Sequence, residues 1–339
     1  MIPVSLDTLD PAFNLAFEEH LCDSLALDHP GWLLFWRNGP SVIVGRFQNT
    51  AGEVNGRFVE DRKLPVVRRN SGGGAVYHDE GNLNFSFILP RGIDIARTPF
   101  ADFSFQGFLG PMVAALGDLG VKATLSGRND ILAEGAKCSG SAQRLTHSMI
   151  LHHGTLLVDL DMSVLSRVLA GDPEKFTSKG LASVRSRVTN LRPYLVENVG
   201  IPEIIRAIGN RCAPGNAMLG LADLPEASAA AEALAIDKYR TWEWNYGRSP
   251  VFDEVRAQRF SWGRLEVRLK VDKGHIVDCR FYGDFFSASD PEQIADLLRG
   301  VPNRPECIRE TLQQTPLEQY FSGCEADMVR EFLAGTQPV

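Results

Sequence analysis

The stretch Arg68-Arg69-Asn70-Ser71-Gly72-Gly73-Gly74-Ala75-Val76-Tyr77-His78 decides how this sequence is interpreted. It leaves a run that reads as a β-strand, PVVRR at 65–69, crosses three successive glycines and enters a second strand. Glycines have no side chain, so their N–H groups can converge on an anion and a ligand can approach the backbone closely. The two arginines before them match carboxylate and phosphate oxygens. The segment is a candidate anion cradle, and a tight hairpin turn with solvated arginines explains it equally well.

Strands and helices follow this segment in irregular order. Short β-branched or aromatic runs bounded by Gly, Pro or Asn read as strands, and apolar residues at helical spacing after Asp10-Pro11 read as an amphipathic helix. Because strands cluster and helices are occasional, the pattern favours an α+β fold with a central mixed sheet over a doubly wound one. The predicted strands are 32–36, 41–45, 65–69, 83–89, 121–125, 129–133 and 149–158, and the first helices are 12–26 and 100–119.

Two domains are expected, because 339 residues exceed what one hydrophobic core usually organises. Gly247 and Pro250 follow an Ala-, Asp- and Glu-rich stretch, and they mark the boundary. The predicted division is a larger domain at 1–245, a linker at 246–253 and a small α+β domain at 254–339. The last is expected to contain a hairpin around Lys273-Gly274 and helices at about 290–299, 304–313 and 324–335.

Composition excludes several classes of protein. The net charge of −7 argues against a general nucleic-acid or anionic-membrane binder, and no apolar run reaches the roughly 18 residues of a membrane span. The six cysteines are scattered, without CxxC pairs or zinc spacing, and the first twenty residues carry acids where an import signal would carry arginines. These features predict a soluble cytoplasmic protein with no metal site formed by the chain alone.

A second motif is centred on one lysine. Ser126-Gly127-Arg128-Asn129-Asp130 is followed by Gly135-Ala136-Lys137-Cys138-Ser139-Gly140-Ser141. A lysine on a strand between small residues can reach into a pocket as a compact positive charge, and an exposed strand lysine is the alternative. The thiol of Cys138 should face the opposite side of that strand.

A histidine pair, His152-His153, follows on the next strand. Successive strand residues point to opposite faces, so only one of the two can line a given pocket. For that histidine a role in packing or hydrogen bonding is slightly favoured over a catalytic one.

In this order the motifs resemble the lipoate-protein ligase family. RRNSGGGAVYHDEGNLNFSF is similar to its ligand-binding segment, SGRNDI with GAKCSGSAQR to the stretch that carries its lysine, and HHGTLLVDLD to its next strand. KGLASVRSRVTNL resembles the loop that closes over the adenylate, and WEWNYGRSPVF with RFSWG resembles the start of the C-terminal domain. The resemblance covers almost the whole chain and is closest to the long two-domain bacterial form.

The resemblance implies a fold and a reaction. The fold is that shared with biotin protein ligases and the catalytic domain of class II aminoacyl-tRNA synthetases. The reaction joins lipoate to ATP as lipoyl-AMP with release of pyrophosphate, and then transfers the lipoyl group to a lysine ε-amine. The acceptors implied are apo lipoyl domains of 2-oxoacid dehydrogenase E2 subunits and glycine cleavage H protein. ATP and Mg²⁺ are required, neither nucleic acid nor membrane is a partner, and a monomer is expected.

The resemblance also assigns site residues. Lys137 would be catalytic, bridging the lipoate carboxylate and the α-phosphate. The nucleotide would be held by Arg69, Gly74, Ala75, Val76, Tyr77 and Lys137, with Asn129 and Asp130 as candidates for ribose or Mg²⁺ contacts. Lipoate would be held by Arg68, Ser71, Gly73, His78, Lys137 and His153, with His152 as the alternative to the last. The adenylate-binding loop would use Lys179, Ser183, Val184 and Arg185, in a stretch (175–192) with five bases and no acid.

Four other functions are weighed against ligation. A lipoyl or octanoyl transferase using a preformed acyl donor is the nearest, but a thioester route needs a reactive thiolate, and Cys138 is expected to face away from the site. Biotin ligation would need a GRGRxGR loop that the sequence lacks. A non-catalytic binder is disfavoured by the intact Lys137 and SGGG loop. A serine hydrolase using Ser139 or Ser141 with His152 lacks a GxSxG elbow.

Overall fold

A computed structural model describes residues 1–127, 129–169, 188–246 and 254–335. Its main feature is a seven-stranded mixed sheet in the order β1-β2-β6-β10-β9-β8-β7, in which β1 and β2 are parallel and the other neighbours are antiparallel. The strands are β1 Ile2–Ser5, β2 Trp32–Trp36, β3 Ser41–Val44, β4 Val66–Arg68, β5 Val76–His78, β6 Asn82–Pro90, β7 Ala123–Ser126, β8 Asp130–Ala133, β9 Ala136–Leu145, β10 Met149–Leu157, β11 Glu254–Phe260, β12 Gly263–Asp272 and β13 His275–Gly283.

Helices cover both faces of this sheet. The helices are α1 Pro11–Asp23, α2 Thr50–Glu53, α3 Gly56–Arg62, α4 Phe105–Asp118, α5 Met162–Val168, α6 Ile201–Cys212, α7 Pro225–Leu234, α8 Trp242–Asn245, α9 Glu292–Leu298, α10 Pro305–Thr311, α11 Leu317–Tyr320 and α12 Ala326–Ala334. Short 3₁₀ turns lie at Ile95–Arg97, Arg192–Tyr194 and Leu221–Asp223, and a π turn at Ala235–Tyr239.

Two apolar cores explain why the central strands are continuous hydrophobic runs. On one face α4 and α6 pack against β6, so Phe108 and Ile204 join Phe85 in one core. On the other face α1 contributes Leu15 and Phe17 to a second core. Strand β6 is buried along its whole length as a result.

Helix α1 begins as the sequence predicts. The side chain of Asp10 accepts a hydrogen bond from the Ala12 N–H, and Pro11 occupies the first turn, where its missing N–H costs nothing. The helix ends at Asp23 rather than at residue 26.

A three-stranded sheet of order β4-β3-β5 lies beside the central one. Strand β3 is parallel to β4 and antiparallel to β5, so the connection from β4 to β5 crosses the end of β3. Residues 69–75 form that connection, and we call them the glycine loop.

The C-terminal segment forms an antiparallel β11-β12-β13 sheet with helices packed on it. The β12–β13 hairpin turns at Lys273 and Gly274, both with positive φ (48° and 80°), and Asp272 pairs with His275. Two consecutive left-handed residues make a type I′ turn, whose twist matches that of the flanking strands. The hairpin predicted from Lys273-Gly274 is confirmed.

The C-terminal segment contacts the larger part through a small set of direct interactions. The rings of Phe47 and Phe285 stack with centroids 4.8 Å apart, and the Gly283 N–H donates to the Phe47 carbonyl at 2.7 Å. An ion pair joins Arg46 to Asp290 at 2.6 Å. Phe47 is thereby part of the apolar core of the C-terminal segment.

Most predicted elements occur within a few residues of their predicted bounds. The prediction did not include strand β1 or the helices α2, α3, α5, α6, α7, α8 and α11. The predicted domain division stays a prediction, because 247–253 lies outside the described residues. Within the described ranges no helix is long and apolar enough to cross a membrane. The six cysteines, all in those ranges, are unpaired thiols.

Candidate active site

A cavity of about 560 Å³ opens where the central sheet, the glycine loop and the C-terminal segment meet. This volume is within the range of small-ligand and cofactor sites. Apolar side chains such as Leu15, Trp36 and Ile43 form one part of its wall, and polar groups from the glycine loop, β9 and β10 form another. The cavity can therefore accommodate a molecule that is apolar at one end and charged at the other.

The three glycines of the loop differ in what a side chain would meet at each position. Gly73 has φ of +93°, which L-residues with a side chain rarely adopt. A β-carbon on Gly72 would lie 2.3 Å from the carbonyl oxygen of Phe285, and one on Gly45, opposite the loop, would lie 2.0 Å from the Gly73 carbonyl oxygen. At Gly74 nothing lies within 4 Å, so its backbone faces open space.

The loop brings five of the predicted residues to the cavity together. Its second half and the start of β5 line the wall with backbone and small side chains, where they can meet a ligand at close range. These residues are Gly73, Gly74, Ala75, Val76 and Tyr77.

Arg69 holds the loop from inside. Its guanidinium donates to the carbonyl oxygens of Gly72 (2.6 Å) and Gly74 (2.9 Å) and to the hydroxyl of Ser71 (3.1 Å). Burial lowers the pKa of Arg69 to about 10, which leaves it charged at neutral pH. The side chain is also part of the cavity wall, so a fixed positive charge lies directly behind the glycines.

Lys137 reaches the cavity from β9, as predicted. Its ammonium group is 2.8 Å from the Asp130 carboxylate, and a β-carbon on Gly140 would lie 3.4 Å from that nitrogen. The next residue, Cys138, faces the opposite way into the apolar core, where burial raises the pKa of its thiol to about 12. The expected opposition of these two side chains is confirmed.

His153 also lines the cavity, and it belongs to a chain of hydrogen bonds. Its Nδ1 lies 2.9 Å from a carboxylate oxygen of Glu18, and its Nε2 lies 2.6 Å from the hydroxyl of Ser71. A carboxylate only accepts, so Nδ1 donates to Glu18, and in the neutral ring Nε2 then accepts the Ser71 proton. Since Ser71 in turn accepts from Arg69, donors and acceptors are ordered along the whole chain.

The tautomer of His78 follows from its neighbours. Asn14 Nδ2 faces three acceptors and shares its two hydrogens among them: the carbonyl oxygens of Thr8 (3.1 Å) and Arg37 (2.8 Å), and Asn38 Oδ1 (3.0 Å). Asn38 therefore presents its oxygen to Asn14. Asn38 Nδ2 must then donate to His78 Nδ1, at 3.1 Å, and the proton of His78 lies on Nε2. That Nε2 is buried on the cavity wall without a hydrogen-bond partner among the described residues. Burial lowers the pKa of His78 to about 3, so the ring offers a neutral donor.

Comparison with known proteins identifies the family. The family model of the lipoyl protein ligase A/B catalytic domain matches residues 10–213, and that of the bacterial lipoate protein ligase C-terminus matches residues 249–333. The chain is 39% identical over 322 residues to lipoate-protein ligase LplJ of Bacillus subtilis, covering 92% of this chain and 93% of that protein. The chain belongs to the lipoate-protein ligase family.

Solved structures agree in fold. LipL1 of P. falciparum in complex with lipoate has a TM-score of 0.78 at 22% identity, covering 98% of this chain and 99% of that one. A bipartite ligase of Thermoplasma acidophilum, described with its E2 lipoyl domain, has a TM-score of 0.63 at 29% identity, covering 74% and 98%. A lipoate-protein ligase A bound with ATP has a TM-score of 0.59 at 27% identity, covering 73% and 99%.

Not every predicted residue of this ligase reaches the cavity. Arg68 is fully buried outside it, and its guanidinium donates to the carbonyl oxygens of Gln48 (2.6 Å) and Trp244 (2.8 Å) and to the Thr50 hydroxyl (2.7 Å). These bonds tie β4 to α2 and α8. The structure therefore gives Arg68 a structural position in place of the predicted contact with lipoate.

His152 is on the other face of β10 from the ligase cavity. Its ring stacks on Phe108 with centroids 4.7 Å apart, and burial lowers its pKa well below the usual value. Of the two alternatives left by the sequence, His153 is the one at the cavity. A hydrolase pairing Ser139 or Ser141 with His152 is not assembled, because both serines line the cavity and His152 does not.

Asn129 and Asp130 differ in position within the ligase. Asn129 lines the cavity, with its Nδ2 donating to the Ser141 carbonyl at 2.7 Å, whereas Asp130 pairs with Lys137 and does not line it. No cluster of three or more His, Cys, Asp or Glu side chains able to hold a metal ion occurs among the described residues.

The adenylate-binding loop predicted at Lys179, Ser183, Val184 and Arg185 lies outside the described residues of the ligase. Sequence reasoning missed the buried Glu18, which binds His153, and the contributions of Arg259, Trp262 and Phe286 to the cavity wall. One signal could have identified Glu18. It follows Leu15 by three residues on α1, so the two side chains lie on the same, apolar face of the helix.

Proposed function

We propose that this ligase activates free lipoate with ATP and transfers the lipoyl group to a lysine of a carrier domain. In the first step a lipoate carboxylate oxygen attacks the α-phosphorus of ATP, the bond to the β-phosphate breaks and pyrophosphate leaves. In the second step the carrier ε-amine attacks the carbonyl carbon of lipoyl-AMP, the bond to the phosphate oxygen breaks, AMP leaves and the amine loses a proton.

One observation carries the proposal: the ammonium group of Lys137 shares a cavity with the glycine loop. The first step brings two anions together, so its main requirements are positioning and neutralisation of charge. A lysine offers a compact positive charge that can contact both the carboxylate and the α-phosphate. The same charge would withdraw electrons from the anhydride in the second step.

The roles of the other cavity residues follow from the division of the wall into an apolar part and a polar part. Arg69 and the backbone of 74–77 would hold the nucleotide, with Asn129 near the ribose. The apolar wall at Leu15 and Trp36 would take the lipoyl chain, and the neutral donor of His78 would face its polar end. Ser71 and His153 would fix the loop around the substrate, and the predicted adenylate-binding loop at 179–185 would cover the product.

The proposed substrates agree with what related proteins bind. The structures of LipL1 with lipoate and of a ligase A with ATP concern proteins of the same fold. The archaeal ligase described with an E2 lipoyl domain supports a carrier domain as acceptor. E2 lipoyl domains and glycine cleavage H protein are the proposed acceptors, with Mg²⁺ delivered by ATP.

Mass spectrometry of the carrier tests the proposal. The protein is incubated with lipoate, MgATP and an apo lipoyl domain, and in parallel with synthetic lipoyl-AMP and the same domain. Carrier modification in both reactions is expected. Modification only from the synthetic adenylate would identify a transferase that uses a preformed donor, and no modification in either reaction would refute the proposal.

A further inference from the structure

The C-terminal segment contributes a cation to the cavity wall. Arg259, at the end of β11, lines the cavity together with the β11–β12 turn. Its guanidinium lies 3.4 Å from Asp284 Oδ2, and Asp284 Oδ1 accepts from the Arg264 N–H at 2.5 Å. The carboxylate is thus anchored to the sheet and limits where the arginine can point. With 41% of its side chain exposed, Arg259 is a cavity residue that solvent reaches.

The other cavity cations in the described part of the chain are Arg69 and Lys137. The N–H groups of Arg69 are bonded to the glycine loop, and Lys137 pairs with Asp130 and is assigned to the reacting α-phosphate. A nucleoside triphosphate brings further negative charge on its β- and γ-phosphates. Those phosphates leave as pyrophosphate, so they need a part of the cavity that solvent reaches, and Arg259 is a solvent-exposed cation of the cavity wall.

Building on the proposed function, we infer that Arg259 binds the pyrophosphate end of ATP. The C-terminal segment then takes part in adenylate formation through a specific charge. Lipoyl-AMP has no β- or γ-phosphate, so Arg259 has no anion to bind in the transfer step. Arg259 is therefore needed for adenylate formation and not for transfer of the lipoyl group.

Two reactions of the full-length protein test this inference. The first measures carrier lipoylation from lipoate with varied MgATP, and the second measures transfer from synthetic lipoyl-AMP. For Arg259→Ala we expect kcat/KM for ATP to fall about 10- to 100-fold, the usual effect of losing a charge-assisted hydrogen bond. Transfer from lipoyl-AMP should be unchanged, and Arg259→Lys should recover part of the ATP-dependent rate.

Lys270→Ala is the matched control, because it removes one positive charge from an exposed position on the neighbouring strand β12, away from the cavity. It should leave both reactions unchanged. Equal loss of both reactions in Arg259→Ala would overturn the inference and would indicate a contact with the carrier or a folding defect. Unchanged ATP dependence would overturn it too. Failure of the wild-type protein in the first reaction would instead refute the proposed function on which it rests.

Discussion

Replacing Lys137 with alanine removes the ammonium group from the cavity and should abolish both half-reactions without unfolding the protein. At about 4 Å from a phosphate oxygen, with an effective dielectric constant near 20, one such charge contributes roughly 4 kcal/mol of attraction before desolvation is subtracted. Each 1.36 kcal/mol changes a rate tenfold, so the loss is up to about 10³-fold. Lys137→Met, which keeps the length of the side chain without its charge, should lose as much.

Stability should change little in the same variants. The Lys137–Asp130 pair is partly exposed, at 39% and 28% of the two side chains, and pairs of this kind contribute at most about 1 kcal/mol. Thermal unfolding should therefore shift by only a few degrees. The combination of a large kinetic loss with a small stability loss is the signature expected of a residue whose role is charge placement.

The assay follows pyrophosphate release in the presence of lipoate and MgATP, and carrier mass with synthetic lipoyl-AMP. Lys122→Ala serves as the control, because Lys122 pairs with Glu134 at 3.6 Å on the surface and is 83% exposed. It should retain full activity. A Lys137→Ala protein that is folded and keeps more than about a tenth of the wild-type rate in either reaction would refute the reasoning.

Three further predictions concern the loop, a histidine and the thiols. Gly72→Ala should lower the free energy of unfolding by about 1–3 kcal/mol, because its β-carbon would lie 2.3 Å from a carbonyl oxygen. Gly74→Ala, which has open space around it, should lower it by less than about 0.5 kcal/mol in the same thermal denaturation series. His78 binds a proton below pH about 6.5 when the chain is unfolded but only near pH 3 when it is folded, so acid favours unfolding in that window. Between pH 7 and 5 the wild type should therefore lose about 2 kcal/mol more unfolding free energy than His78→Gln, and parallel pH curves for the two proteins would contradict this. Iodoacetamide should label Cys307, the least buried thiol, and spare the buried Cys138, whose pKa is about 12. Lipoylation activity should be unaffected by this labelling. Inactivation that Cys307→Ser does not prevent would argue for a catalytic thiol.

Local features of the fold were predictable from the sequence where a residue type favours one particular backbone conformation. Asp10-Pro11 predicts the start of α1, since a carboxylate caps N–H groups and proline fits the first turn. Lys273-Gly274 predicts the β12–β13 turn, although lysine in the left-handed region is less usual than asparagine or aspartate. Both signals act between residues close in the chain, so no knowledge of distant partners is needed.

Site residues were harder to predict, because adjacent residues with the same chemistry occupy different environments. Arg68 and Arg69 are both buried arginines, but only the second reaches the cavity, since strand alternation turns the first toward α2 and α8. Glu18 was missed because its partner, His153, is 135 positions away. Which member of a pair faces inward depends on the register of the sheet, and that register is set by contacts a single sequence does not display.

Residues far apart in the sequence form the cavity wall. Leu15 and Lys137 belong to the larger part, and Arg259 and Phe286 belong to the C-terminal segment. During synthesis the earlier residues leave the ribosome first and domains fold in that order. When the glycine loop has left the ribosome, the backbone of Phe285, which packs against Gly72, has not yet been synthesised. The loop gains that contact only after Phe285 has emerged. Completion of the pocket is thereby tied to completion of the polypeptide, so a truncated translation product would carry the loop with one side open to water.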